Sequence, residues 1–101
     1  MGWAKEAQAA LERGQTVDVR PIGGSMRGKI ESGQRVTIAP IDPEQVNIGD
    51  IVFIKWHGGH LLHLIVKATA TDVLIGNNLG KKNGWTARSA VLGKVVAVHD
   101  D

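Results

Sequence analysis

The sequence contains no cysteine, which excludes disulfides, thiolate metal sites and a cysteine nucleophile. No apolar run approaches the roughly 20 residues needed to span a bilayer. The opening stretch MGWAKEAQAALERG lacks the basic start, apolar centre and small-residue cleavage site of a secretory signal. A cytoplasmic protein with no membrane anchor is therefore the expectation. Strong charge imbalance is missing too: a net charge of +2 points to no clear nucleic-acid or membrane partner. Arg13, Arg20, Arg27, Lys29 and Arg35 crowd the first third of the chain, where a solvated rim is the ordinary outcome. There is no internal repeat, low-complexity tract or linker.

What remains is a composition suited to folding. Hydrophobic residues make up 43% of the chain and charged residues 22%, which is ordinary for a globular protein. At 101 residues the chain reads as one domain over 1–101, because two halves would each be too small to bury a useful core.

The apolar pattern begins helical and then changes. Trp3, Ala7, Ala10 and Leu11 fall at helical spacing, and Gly14 suits a helix stop, so a helix is expected over about 3–13. From about 16 to 99 the chain reads as strands. Thr16–Arg20 and Gln34–Ala39 alternate, and Ile41–Gly49 collects turn formers. Ile51–His57 and His60–Ala68 are apolar, β-branched runs, with Gly58-Gly59 placed to form the two-residue turn of a hairpin. Thr71–Ile75 and Val91–Val98 complete about six strands, with a polar glycine-rich loop over Gly76–Gly84. A mostly-β fold is expected, a compact bent sheet or partial barrel with one short N-terminal helix.

Chemistry could reside in Pro21-Ile22-Gly23-Gly24-Ser25-Met26. Two glycines allow a sharp turn and close substrate approach, and they leave backbone N–H groups free to face an oxyanion. Alone, Gly-Gly-Ser is a common turn. A serine nucleophile needs a base within hydrogen-bond reach, and His57, His60, His63, His99 and several lysines are available. His60 and His63 lie three apart on one strand and so point to opposite faces, which argues against a metal site shared with His57. His57 and His60 read as exposed residues beside the turn. His63 lies in the apolar strand Leu61-Leu62-His63-Leu64-Ile65-Val66; on the residues alone, a core histidine satisfied by a backbone carbonyl is the stronger reading. Lys67 shares its parity but lies ~13 Å further along, so both cannot serve one serine. Lys55 and Lys67 are the reserve bases.

The order Gly24-Ser25-Met26, then Ile30-Glu31-Ser32-Gly33-Gln34-Arg35-Val36, then Ile48-Gly49-Asp50-Ile51-Val52, resembles the superfamily of signal peptidase I and the self-cleaving SOS repressors. Gly76-Asn77-Asn78 and Leu92-Gly93-Lys94-Val95-Val96 continue the resemblance, which runs from about Val17 to Val98. It implies a peptidase fold acting on an extended peptide or protein, without cofactor or metal. Ser25 becomes the nucleophile, and His63 occupies the position of the family's lysine or histidine base. Gly24 and Ser25 would supply oxyanion donors, and Met26 an apolar side chain beside the site. Asn77 stands where histidine-bearing members often have aspartate, so its amide is a candidate to orient His63; Asp72 and Asp50 are substitutes, with Asp50 the more structural. Gly28 replaces a family proline. With no DNA-binding segment and no Ala-Gly or Cys-Gly cleavage segment, self-cleavage is not expected. The alternative is a non-catalytic peptide-binding or regulatory module that keeps the fold. Trp85 could line a groove, though packing beneath a long loop is its simpler role.

Overall fold

The structure, a computed structural model, describes residues 2–21 and 28–100. Among the described residues the fold is mostly β: seven strands in one antiparallel sheet, with a single short α-helix. Helix α1 (Trp3–Glu12) buries Ala7, Ala10 and Leu11. It stops where the pattern predicts. Gly14 takes φ +76°, its N–H bonds Leu11 O at 2.9 Å, and Gln15 N–H reaches Ala10 O at 3.0 Å. These paired bonds satisfy carbonyls that a helix end otherwise leaves orphaned.

The strands are β1 (Val17–Val19), β2 (Arg35–Ala39), β3 (Ile51–Trp56), β4 (Gly59–Ala68), β5 (Asp72–Gly76), β6 (Lys82–Ala87) and β7 (Val91–His99). Their spatial order is β1-β2-β7-β3-β4-β5-β6, so β3 and β4 lie inside the sheet while β1 and β6 form its edges. Central position explains the near-continuous apolar run of β3, which is buried on both faces. Phe53 joins Ala7, Leu11, Val36, Ile38 and Leu62 in a cluster beneath α1. Val52 and Ile54 join Val46, Ile65, Val73, Ile75 and Val91 in a second cluster. Successive side chains of a strand alternate faces, so the sheet separates these two cores.

Four strand pairs (β2–β7, β3–β7, β4–β5 and β5–β6) each carry a register shift. Such irregularities bend a strand and raise its local twist. Gly93 sits at one of these close passages. A Cβ there would lie 2.8 Å from Ala39 O and from Ile38 Cγ2, and 3.0 Å from Leu11 Cδ1.

Two details differ from the sequence-based expectation. The β3–β4 turn is His57-Gly58 rather than Gly58-Gly59, closed by the Trp56–Gly59 pair, with φ of +45° and +81° at its two central residues. This is the sign pattern of the primed turns that match strand twist. The polar segment after Gly76 is also not all loop, because β6 begins at Lys82 and forms the outer edge of the sheet.

Candidate functional site

His63 is the one buried polar or charged residue among those described, 7% exposed. It lies on β4 opposite Val52 and shares its face with Leu61 and Ile65, which pack in the second core. Its Nδ1 lies 2.6 Å from Leu62 O. A carbonyl oxygen can only accept, so Nδ1 carries the hydrogen and a neutral ring keeps its lone pair on Nε2. A backbone carbonyl therefore satisfies one side of the ring, as expected of a core histidine, and the same contact selects the tautomer with a basic Nε2.

Ser25, Gly24 and Met26 lie outside the described residues, and both flanks of their segment are anchored. On one side Pro21 O accepts from Gly33 N–H at 2.8 Å, and Arg20 donates to Gly33 O at 3.0 Å. On the other, Gly28 N–H donates to Glu31 Oε2 at 2.8 Å. Gly28 has φ +96°, and a Cβ built on it would come within 2.9 Å of Asn78 Nδ2. Proline is fixed near φ −65°, so the family's residue could not take this conformation. The C-terminal flank of the segment thus rests against the β5–β6 turn. That turn adjoins β4: Leu64, next to His63, pairs with Gly76, next to Asn77. A Cβ on Gly76 would collide with Val66 Cγ2 at 2.8 Å and Lys81 O at 2.9 Å, which accounts for glycine there.

Asn77 shapes this turn. Its Oδ1 accepts from Leu79 N–H at 2.9 Å and Lys81 N–H at 3.0 Å, while its own N–H donates to Lys81 O at 2.8 Å. The contact on His63 Nδ1 is made by Leu62 O, not by the Asn77 amide. Asp72 pairs with Ala87 at the far end of β5, ~13 Å along the strand from Gly76, too far to replace it.

Asp50 has a structural position. Its Oδ1 is 3.1 Å from Lys94 Nζ, its Oδ2 accepts from Asn47 N–H at 2.8 Å, and its carbonyl accepts from Ile65 N–H at 2.9 Å. The Gly49-Asp50 turn, with Gly49 at φ +93°, is thereby tied to the Gly93-Lys94 strand. Both motifs are visible in the sequence, but the ion pair that joins them is not. No sequence motif marks Arg88 either: the guanidinium donates to Thr69 O, Pro43 O and Val46 O and holds two loops together.

The other histidines separate as strand parity requires. His60 faces the first core and stacks on Phe53, with centroids 5.1 Å apart and planes 4° apart. It is part-buried beneath α1 rather than simply exposed, and its Nε2 lies 2.6 Å from Gln8 Oε1. His57 occupies the hairpin turn, edge-on to Trp56. His99 Nε2 meets Thr37 Oγ1 at 2.8 Å on the β2–β7 pair. Among the described residues no three His, Cys, Asp or Glu side chains form a group that could hold a metal ion. Lys55 and Lys67 are exposed, paired with His60 and Leu74 respectively. Trp85 is 52% exposed on edge strand β6, not packed beneath a loop. No helix among the described residues is long and apolar enough to cross a membrane. The chain matches no protein-family model and no curated protein.

Proposed function

We propose that this protein is a serine peptidase of the signal peptidase and SOS-repressor type, hydrolysing peptide bonds of extended substrates with a Ser25–His63 dyad. The supporting observation is the His63 ring, buried on a central strand with its Nδ1 hydrogen committed to Leu62 O. Nε2 of the neutral ring is then the basic atom. It takes the Ser25 proton as Oγ adds to the scissile carbonyl carbon, and returns that proton to the leaving amine. In this reading the backbone N–H groups of Gly24 and Ser25 serve as oxyanion donors, and Met26 offers the substrate an apolar side chain. Water then releases the acyl group with His63 again as base. A histidine needs little tuning for this role, because its ordinary pKa of ~6.5 leaves it mostly neutral at physiological pH.

The second reading, a non-catalytic peptide-binding module, draws on the identity of the orienting group. Leu62 O fixes the tautomer but stabilises the imidazolium less than a carboxylate would. One experiment separates the two readings: mass spectrometry of an extended-peptide library incubated with the protein, Ser25→Ala and His63→Ala. The peptidase predicts cleavage lost in both variants with the melting temperature of Ser25→Ala unchanged. Peptide binding that survives Ser25→Ala, with no cleavage by the unsubstituted protein, contradicts it.

A further inference from the structure

A groove of about 560 Å³ lies between α1 and the β3–β4 hairpin, on the first-core side and apart from His63. Lys5, Gln8, Ala9 and Glu12 line it from α1, and Lys55 with His60 from the hairpin. The helical residues recur at i, i+3, i+4 and i+7, so one face of α1 looks into the groove. Trp56 and His57 also line the hairpin side, where Gly58 and Gly59 add no side chain to fill the groove.

We infer that this groove is a binding site for a small organic monocarboxylate, held between Lys5 and Lys55 with its apolar body against Ala9 and the glycine wall. Charge arithmetic favours one negative charge. Lys5 and Lys55 contribute two positive charges and Glu12 one negative charge, so a monoanion neutralises the groove, whereas a phosphate dianion leaves it with one excess negative charge. The polar groups on the groove are already organised. His60 Nε2 donates to Gln8 Oε1 at 2.6 Å, and Gln8 Nε2 donates to Glu12 Oε2 at 3.1 Å. This chain turns Glu12 toward Gln8 and leaves the two ammonium groups as the cationic partners.

His60 senses this field. Burial, then Lys55, then Lys5 hold its pKa below the ordinary histidine value. The charged groups around it are Lys5 and Glu12 from α1, Lys55 from β3 and His57 from the turn. A bound carboxylate screens the lysines and favours imidazolium. His60 pKa therefore rises on binding, and binding tightens as pH falls through that pKa.

Benzoate, with inorganic phosphate as the competing probe, tests the site by NMR titration of the whole protein. The expected result is a saturable shift of the Lys5, Ala9, Gly58 and Gly59 amides, with Kd on the order of 1 mM. Lys5→Gln with Lys55→Gln should weaken it by roughly tenfold, and Glu12→Gln should strengthen it. His60 should titrate at higher pH with benzoate present. Benzoate shifts that do not saturate, equal binding by the double lysine variant, or phosphate binding at least as tightly as benzoate would overturn the inference.

Discussion

The proposed peptidase chemistry rests on the ring of one residue, His63. A titratable group in an apolar strand is conspicuous in the sequence, because desolvation makes it costly unless it is hydrogen-bonded. Its orienting partner is not conspicuous, since Leu62 acts through a backbone carbonyl that any residue possesses. Asn77 looked like that partner only by its place in the motif order; its oxygen instead receives two turn amides. Asn77→Ala should consequently cost about 1 kcal/mol of stability through the turn. Peptidase activity, where measured under conditions that keep the variant folded, should fall only modestly. A loss as large as that of His63→Ala would show that the amide acts on the ring after all.

Elements were legible where their burial was one-sided or complete. Trp3, Ala7 and Leu11 marked α1, and the β-branched runs marked β3 and β4 because each lies between two cores. Edge strand β6 was hidden: Lys82, Asn83, Gly84 and Thr86 carry no apolar alternation, and its pairing with β5 is a tertiary event. The hairpin turn was misplaced by one residue. Moving a turn by one changes each cross-strand partner by two, so His63 faces Val52 instead of Ile54 while every side chain keeps its face. That is why the parity argument separating His60 from His63 survived the error.

Two outcomes test the elements. Gly93→Ala should destabilise by about 1–3 kcal/mol, because its Cβ meets the backbone oxygen of Ala39 as well as two core side chains. Gly59→Ala, whose Cβ meets only Trp56 O at 3.7 Å, should be far milder. Chemical denaturation measures both, and equal costs would contradict the packing described for Gly93. The contact between α1 and the hairpin has its own pH dependence. His60 is held below its ordinary pKa, so protons bind the unfolded chain first. Its contribution is present above the unfolded value near 6.5 and is lost as pH falls toward the lower folded value. The melting temperature of the unsubstituted protein should therefore fall more steeply than that of His60→Phe as pH is lowered through this window. Parallel curves would remove His60 as the cause.

For the molecule as a whole, the mostly-β sheet with its single helix follows from the pattern of the chain. The proposed dyad needs the 22–27 segment to approach β4, a long-range matter for which the sequence offers only the motif order of the resemblance. Gly28 against Asn78, and Leu64 paired with Gly76, bring the flank of that segment and the His63 strand to the same turn. The dyad requires the segment itself to complete the approach, with the Ser25 hydroxyl donating to His63 Nε2. Long-range ¹H–¹⁵N correlation of the histidine rings in the protein and in Ser25→Ala, at a pH where the rings are neutral, reads this directly and needs no substrate. The account predicts a protonated Nδ1 and an unprotonated Nε2 in both proteins, with the His63 Nε2 resonance displaced by Ser25→Ala as its hydrogen-bond donor is removed. A protonated Nε2, or an Nε2 resonance indifferent to Ser25, would contradict the dyad.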